Sequence, residues 1–388
     1  MKQKNKINLD NIVHFIGDKL KDSFKRLLKK INELIFLICD SLLLAVLNIA
    51  PLKNKKTIKK VCVRLDGLGD AIIFINYINA NNKDEVLYIV SNLQESFVKN
   101  LKNVKHYFVI DRVKFKINIF YRFKILSQIN RMQCDEIINP VFSKEILLED
   151  SVVRFIRSKN KIGVLGNLEN SSPFFNYIGN KFYDQLLKIN HNESIHDFHL
   201  NHEIIKLTTN SSATLYHSPI NFNTFFVSRG KNIDYSNHII VNSGSRQKSR
   251  NLPEIYYYKI IKYILSNSSQ KIILTGHSLY EKHLCNRIEE KFGDKIVNLH
   301  GKTSIPDIFD IASSCKKVIT NDTFMVHASN MLDCKTIMFK KQSITYNRFL
   351  PYPDSFPSNN MKKVFLLNDD LYNNFEEVFS SIDILLGS

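Results

Sequence analysis

The sequence predicts an α/β protein with two doubly wound parallel sheets, because strand-like apolar runs alternate with helix-like segments in two separate series. The first series starts near Lys60 and the second at His238. Between them, from about residue 164 to residue 237, Asn, Ser and aromatic residues predominate, as is typical of loops and linkers. A length of 388 residues is sufficient for two or three domains with cores of their own.

Short β-rich runs define the first series. Val61–Leu65 predicts the first strand, and the apolar segment Ala71–Ile78 predicts the helix that follows it. A further helix is expected around Glu203–Leu207, within the linker region. The other predicted strands are Val86–Val90, Tyr107–Ile110 and Glu136–Ile138.

The second series has clearer helix signals. Thr303 and Ser304 suit a helix cap and Pro306 suits the first turn, so a helix is expected to begin there. The predicted strands are His238–Val241, Lys271–Thr275, Lys295–Leu299, Val318–Thr320 and Thr336–Phe339, and the other predicted helices are one from Pro253, Ser278–Lys291, Val326–Leu332 and Leu371–Leu386.

The composition is that of a globular protein with an excess of basic residues. Lys and Arg number 54 against 37 Asp and Glu, a formal charge of +17. Such a surplus favours anionic partners, although a compositional bias toward Lys, Ile and Asn explains it equally well. Six cysteines without metal-ligand spacing are typical of buried thiols in a reducing compartment, and they indicate neither a disulfide framework nor a zinc site.

Residues 1–57 form a basic, amphipathic helical extension in this prediction. Lys2–Lys30 is too polar and basic for a secretory signal. The apolar run Leu34–Ala50 approaches the length of a membrane span, but Asp40 near its middle and flanking lysines argue against a simple one. Two hypotheses remain: the helix lies in the membrane interface as a peripheral contact, or it packs on the first domain.

Two stretches carry the chemistry, namely Asp66–Asp70 and Asn321–His327. Each follows a strand-like run and opens a helix-like one, where doubly wound sheets bind ligands. The first offers a carboxylate on a glycine turn, and the second offers backbone N–H groups to an anion. A base and an anion cradle indicate group transfer between two domains. Gly67 and Gly69 alone are a weak dinucleotide signal, because the third glycine is missing and Asp70 would repel a pyrophosphate.

Four segments of the chain, at Arg64–Asp70, Asn242–Pro253, Asn298–Ser304 and Asn321–Ala328, together resemble those of the heptosyltransferases, glycosyltransferase family nine. Asn242–Pro253 resembles their N-P-G-A-S-x-x-x-K-R-W-P segment, and Asn298–Ser304 resembles N-L-x-G-K-T-S. Asn321–Ala328 is similar to N-D-[ST]-G-x-x-H-[LA], and Arg64–Asp70 is similar to the opening R-x-D-x-x-G-D. The four segments occur in family order across roughly residues 58–345.

The resemblance implies a GT-B fold, with two Rossmann-like domains facing a central cleft. It implies inverting transfer of a sugar, heptose in particular, from an ADP-linked donor to a lipopolysaccharide, lipooligosaccharide or other glycan acceptor. No metal or other cofactor is expected, and the cytoplasmic side of the membrane is the expected location. The expected divisions are an acceptor domain at 58–230, a donor domain at 231–365, and a C-terminal helix at 366–388 that packs back on the first domain.

The resemblance also assigns residues. Asp70 matches the family's general base, with Asp66, Gly67 and Gly69 in the same acceptor-side loop. A single base opposite the leaving group is what inversion requires, and Arg250 can stabilise the charge that develops on the diphosphate. The expected donor-binding residues are Ser245, Arg250, Glu281, Gly301, Lys302, Thr303, Asp322, Thr323, Phe324 and His327.

Three positions depart from the family pattern. Phe324 replaces a glycine that lets the backbone approach phosphate closely, which predicts either a reshaped donor loop or an altered sugar preference. Leu252 replaces a tryptophan, and Arg250 replaces a lysine while keeping its charge.

Simpler interpretations exist for several of these residues. Asp70 can serve only to cap a helix, and Asp66, a rival base, can serve only as a turn former. His327 can be an ordinary core histidine, and Arg246 and Lys248 can be solvated loop charges. At the level of function, the alternative is a non-catalytic relative that binds a nucleotide or glycan. Nucleic-acid binding ranks last, because no recognition motif accompanies the charge.

Overall fold

The computed structural model describes residues 9–49, 58–80, 85–189, 196–209, 234–245, 250–341 and 361–387. It contains two six-stranded sheets, ordered β3-β2-β1-β4-β5-β6 and β12-β11-β10-β7-β8-β9. The strands are β1 Ile58–Arg64, β2 Val86–Ser91, β3 His106–Ile110, β4 Gln133–Asn139, β5 Arg157–Val164, β6 Gln185–Leu187, β7 His238–Asn242, β8 Lys271–Thr275, β9 Ile296–Asn298, β10 Lys317–Asn321, β11 Lys335–Lys341 and β12 Lys362–Leu367. The predicted pair of parallel sheets is confirmed.

The helices begin where the capping residues predict. Ser304 caps a helix with Pro306 in its first turn, and Ser278 caps another through the amide of Glu281. The helices are α1 Leu9–Ile49, α2 Leu68–Ile73, α3 Ile75–Ala80, α4 Glu95–Val98, α5 Arg112–Ile117, α6 Ile119–Ile129, α7 Ser151–Phe155, α8 Pro173–Asn180, α9 Asp197–Thr209, α10 Glu254–Asn267, α11 Leu279–Phe292, α12 Ile305–Cys315, α13 Phe324–Met331, α14 Asp369–Asn373 and α15 Glu376–Leu386.

Three strands were not predicted. β5 carries polar residues along most of its length, and its buried residues are confined to its last three positions. β6 has only three residues, and β12 stands last in the order of its sheet with most of its side chains partly exposed. The alternation of apolar and polar residues is therefore weak at all three.

The chain divides into two compact units. Unit 1 comprises 1–58 and 111–186, and unit 2 comprises 59–110 and 187–388. The four domain divisions expected from the sequence remain a prediction.

In unit 1, α1 packs on α6 and on the π-helical turn Ile146–Asp150. Phe36 lies in a small core with Ile146, Leu147 and Phe175. The hypothesis that the apolar N-terminal segment packs on a globular unit is therefore confirmed for one side of the helix.

In unit 2, the second sheet and its helices share one apolar core. Ile319 and Ile337 of the central strands lie in this core with Ile260 of α10. The C-terminal helix α15 contributes Val378 and Ile382 to the same core. The expectation that the C-terminal helix packs back on the first domain remains a prediction; the contacts of α15 described here are those of its apolar face with the second sheet's core.

Candidate donor and acceptor loops

Four motif loops of unit 2 lie at the carboxyl ends of neighbouring parallel strands. β10, β7, β8 and β9 are consecutive in the second sheet, so the loops after them share one edge. Parallel α/β sheets bind ligands at this edge. The predicted donor-binding residues on these loops are Ser245 after β7, Glu281 at the start of the helix after β8, Gly301, Lys302 and Thr303 after β9, and Asp322, Thr323, Phe324 and His327 after β10.

Asp66 is held by its own loop and its neighbours. Its carboxylate forms an ion pair with Arg64 at 3.0 Å and accepts a hydrogen bond from Gln94 at 3.0 Å. Gln94 also donates to the backbone oxygens of Asp66 and Gly67, and Ser91 donates to the Asp66 carbonyl. These contacts agree with a turn-forming role for Asp66 and make it a poor candidate for the base.

Asp70 lies at the start of α2, four residues after Asp66. One of its carboxylate oxygens, Oδ2, accepts a hydrogen bond from the Gly67 amide at 2.9 Å. This hydrogen bond agrees with the simpler interpretation, in which Asp70 caps the helix. The contact occupies one oxygen and leaves the side chain half-buried, so capping and proton abstraction are compatible.

Arg64 links the two carboxylates electrostatically. Burial lowers its pKa, but the charges of Asp66 and Asp70 outweigh this and raise the pKa overall. The guanidinium also lies over the Phe74 ring, 4.4 Å from its centroid, and donates to Asn201 at 3.4 Å. Arg64 is thus a fixed positive charge beside Asp66 and Asp70.

The structure brings the two principal motifs into contact within unit 2. A Cβ added at Gly69 would lie 2.8 Å from Cδ2 of His327, so only glycine fits there without displacing the imidazole. Helices α2 and α13 pack together around this point. The base candidate Asp70 is therefore adjacent in sequence to a residue that contacts the second motif.

His327 is buried in a way that keeps it neutral. Burial, and secondarily the nearby His196, lower its pKa from 6.5 to about 3. Its Nδ1 is buried and has no hydrogen-bond partner among the residues that the structure describes. A buried polar atom without a partner carries a cost of about 1–3 kcal/mol, which a bound hydroxyl would offset.

Asp322 and Arg250 form a loose pair at the same edge. An Arg250 nitrogen lies 3.4 Å from Asp322 Oδ2, and the two side chains are 31% and 18% exposed. Burial raises the pKa of Asp322, while Arg250 and then Lys340 lower it in part. Burial in turn lowers the pKa of Lys340, which Asp322 partly restores.

Lys340 was not among the predicted site residues. It lies near the end of β11, the strand beside β10, and is almost fully buried. A lysine that directly follows the buried strand residues Thr336–Phe339 is the signal that could have identified it.

The loop after β10 ends in a helix start. Thr323 caps α13 by accepting a hydrogen bond from the Met325 amide at 3.2 Å. Phe324 is the first residue of the helix and is half-buried. Because the first amides of a helix lack partners within it, this loop can bind an anion, and Phe324 occupies the first helical position.

Glu281 has a structural role besides its predicted one. Its Oε2 accepts hydrogen bonds from the amides of His277 and Ser278, which completes the cap of α11. A Cβ at Gly244 would lie 2.0 Å from a carboxylate oxygen of Glu281. Only glycine at this position therefore leaves room for the Glu281 side chain.

The loop after β9 is a tight, exposed turn. Gly301 has a left-handed φ of +67°, which glycine adopts without strain. Lys302 donates from Nζ to the carbonyl of Asn298 at 2.9 Å, and Thr303 is half-buried. Arg246 and Lys248 lie outside the described residues. In the described residues there is no group of three or more His, Cys, Asp or Glu side chains that could hold a metal ion.

Two six-stranded parallel sheets with motif loops at the carboxyl edge are the architecture of GT-B glycosyltransferases. The sequence of residues 216–355 matches the model of glycosyltransferase family 9 (heptosyltransferase). The protein is therefore a glycosyltransferase with a family 9 domain, as the resemblance predicted. The matched residues include the donor loops, whereas the segment Arg64–Asp70 lies outside them.

Solved structures support the fold across both sheets. E. coli heptosyltransferase WaaC with ADP is 16% identical, with a TM-score of 0.63 over 83% of this chain and 99% of that one. The family 9 glycosyl transferase from Veillonella parvula is 15% identical, with a TM-score of 0.62 over 87% and 99%. E. coli ADP-heptose lps heptosyltransferase II is 13% identical, with a TM-score of 0.58 over 84% and 98%. A comparison with curated proteins gave no match.

Proposed function

We propose that this protein transfers a sugar, with inversion and without a metal, from a nucleotide-diphosphate donor to a glycan acceptor. The proposed donor is ADP-heptose, and the proposed acceptor is a lipopolysaccharide or lipooligosaccharide at the cytoplasmic face of the membrane. The observation that carries the proposal is the contact of Gly69 with His327, which joins the base candidate's loop to the donor motif. The similarity to E. coli heptosyltransferase WaaC with ADP and to ADP-heptose lps heptosyltransferase II supports the choice of ADP-heptose.

Asp70 acts as the general base in this proposal. It accepts the proton of the acceptor hydroxyl as that oxygen attacks the anomeric carbon and the bond to the diphosphate breaks. Asp66 is unsuited to this role, because Arg64 and Gln94 already hold its carboxylate. The positive charge of Arg64 lies beside both carboxylates.

Arg250 and the start of α13 receive the leaving group. The planar guanidinium can donate two hydrogen bonds to a diphosphate, and the first amides of α13 can donate others. Lys340 adds a second positive charge near Asp322. In this proposal, neutral His327 donates or accepts one hydrogen bond with a sugar hydroxyl through Nδ1, which is buried and has no partner among the described residues.

The test is ADP release from ADP-heptose in the presence of a lipid-linked acceptor. Asp70→Asn is expected to lower kcat by about 10²–10⁴-fold, the usual contribution of a general base. ADP should still raise the melting temperature of this variant as it does for the wild type. The matched control is Asp369→Asn, which changes an exposed first-turn aspartate of α14.

The outcomes separate the alternatives. Wild-type activity in Asp70→Asn would contradict the assignment of the base. Stabilisation of the wild type by ADP, without product from any acceptor, would favour a non-catalytic binding relative, for which Phe324 at the helix start is the motivating feature. Stabilisation by UDP or GDP instead of ADP would change the donor and leave the reaction class intact.

A further inference from the structure

Helix α1 is apolar on two opposite sides between Ile31 and Ile49. On one side, which we call the docked face, the side chains are buried or half-buried: Phe36, Leu37, Asp40, Leu43 and Leu47. On the other, which we call the outer stripe, side chains that are 44–85% exposed follow one another at intervals of three or four residues: Ile31, Ile35, Ile38, Leu42, Val46 and Ile49. This spacing places them along one side of the helix.

A buried ion pair determines which side faces the protein. Asp40 accepts hydrogen bonds from the guanidinium of Arg122, and both side chains are fully buried. Arg122 also donates to the Leu147 carbonyl and to the Ser151 hydroxyl, so α1, α6 and the π-helical turn are joined at one point. The outer stripe is therefore exposed because the opposite face is fixed.

The same pair argues against a transmembrane orientation. Leu27–Ile49 is long and apolar enough to cross a membrane by length and composition. A span would place Asp40 in lipid and leave Arg122 buried without its partner, and breaking such a pair costs about 3–5 kcal/mol. A helix that lies along the membrane surface keeps the pair and buries only the outer stripe.

A second group of exposed apolar residues lies in unit 1. Val113, Ile117 and Phe120 are 64%, 69% and 83% exposed, on α5 and at the start of α6, the helix that packs on α1. We call these three residues the corner. Lys114 lies within the corner and its side chain is 64% exposed.

The positive charges that flank the outer stripe in the sequence favour binding to an anionic surface. The sequence is basic on both sides of the outer stripe, at Lys25, Arg26, Lys29 and Lys30 before it and at Lys53, Lys55 and Lys56 after it. Each lysine or arginine near an anionic membrane contributes about 1 kcal/mol of attraction. A second copy of this chain would bring the same positive charges together, so charge complementarity favours lipid over self-association.

We propose that the outer stripe and the corner dock on the surface of a bilayer rich in anionic lipid, with α1 parallel to the surface and fixed to unit 1 by Asp40 and Arg122. This inference deepens the membrane contact of the proposed function. Its test contains no sugar nucleotide, so its failure leaves the transfer reaction untouched.

The experiment is flotation of the full-length protein with vesicles of phosphatidylcholine, with and without phosphatidylglycerol. The wild type is expected to float with the anionic vesicles only. The variant Ile38→Gln/Leu42→Gln/Val46→Gln should lose at least about tenfold in partitioning, because three apolar side chains no longer enter the lipid. Phe120→Ser tests the corner and should lower partitioning by a smaller factor.

The matched control is Ile255→Gln/Leu279→Gln/Ile384→Gln, which changes exposed apolar residues of unit 2 and should float like the wild type. Both triple variants change only exposed residues, so we expect each to unfold at the melting temperature of the wild type. Flotation of the outer-stripe variant at the wild-type level would overturn the proposal. So would a wild type that fails to float and forms dimers through this helix by light scattering, or one that resists extraction by alkaline carbonate as a spanning protein does.

Discussion

Two Arg–Asp pairs, Asp40 with Arg122 in unit 1 and Asp322 with Arg250 in unit 2, differ in almost every physical respect. Asp40 and Arg122 in unit 1 are both fully buried, and the guanidinium donates to two further carbonyls and a hydroxyl. Asp322 and Arg250 in unit 2 approach only to 3.4 Å and remain partly exposed. The hydrogen bonds of the first pair are made inside the protein, whereas the second pair is partly exposed to solvent.

The difference distinguishes a structural pair from a candidate binding pair. A fully buried ion pair whose donors all have acceptors fixes the position of a helix, as Asp40 and Arg122 fix α1. A partly exposed pair can exchange water for a ligand at little cost, and the proposed function assigns to Arg250 the charge of the leaving diphosphate. The predictions below test whether the two pairs really differ in this way.

The largest effect is expected at the buried pair. Asp40→Asn should destabilise the protein by about 3–5 kcal/mol, because the Arg122 charge would remain buried without its partner. The measurement is the urea midpoint of unfolding. The matched control is Glu254→Gln, which breaks the exposed pair with Arg287 and should cost at most about 1 kcal/mol. Equal losses in the two variants would contradict the structural role of Asp40.

The next effect concerns pH and the buried imidazole of His327. Its pKa in the folded protein, about 3, lies below the ordinary value of 6.5, so the unfolded chain binds the extra proton first. The stability that depends on neutral His327 is complete above about pH 6.5 and decreases as the pH falls toward 3. By linkage, the loss between about pH 7 and pH 4.5 amounts to about 2.5 kcal/mol.

His327→Gln provides the comparison for this prediction, because glutamine does not titrate. The measurement is the free energy of unfolding of both proteins at the two pH values. The wild type should lose more stability than the variant by about the amount given above. Parallel losses in the two proteins would show that His327 is not held neutral.

A third effect is expected at the partly exposed pair, Asp322 and Arg250. Arg250→Ala should weaken ADP binding by about 10–30-fold, or about 1.5–2 kcal/mol, while the free energy of unfolding changes little. Lys340→Met tests the second cation in the same titration calorimetry experiment. A change in stability as large as that of Asp40→Asn, with ADP affinity unchanged, would make the two Arg–Asp pairs equivalent.

The sequence predicted what depends on neighbouring residues. Ser278 with Glu281, and Ser304 with Asp307, are capping boxes that can be recognised three residues apart, and the helices begin there. The parallel sheets likewise follow from local alternation of strand and helix. Contacts between distant residues were not predictable: Asp40 and Arg122 are 82 positions apart, and nothing local shows that Gly69 faces His327. Lys340 was missed for the same reason, since its partner Asp322 lies on the preceding strand's loop.

The smallest effect is expected when two helix caps are removed in turn, one near the proposed ADP site and one in the other unit. Thr323→Ala removes the cap of α13 and should cost about 1 kcal/mol of stability. Ser172→Ala removes the equivalent cap of α8 in unit 1 and should cost a similar amount. Only Thr323→Ala should also weaken ADP binding, by about fivefold, because the first amides of α13 lose their alignment. If ADP binds both variants as it binds the wild type, the start of α13 does not hold the diphosphate, and Arg250 would have to bind it without help from the helix.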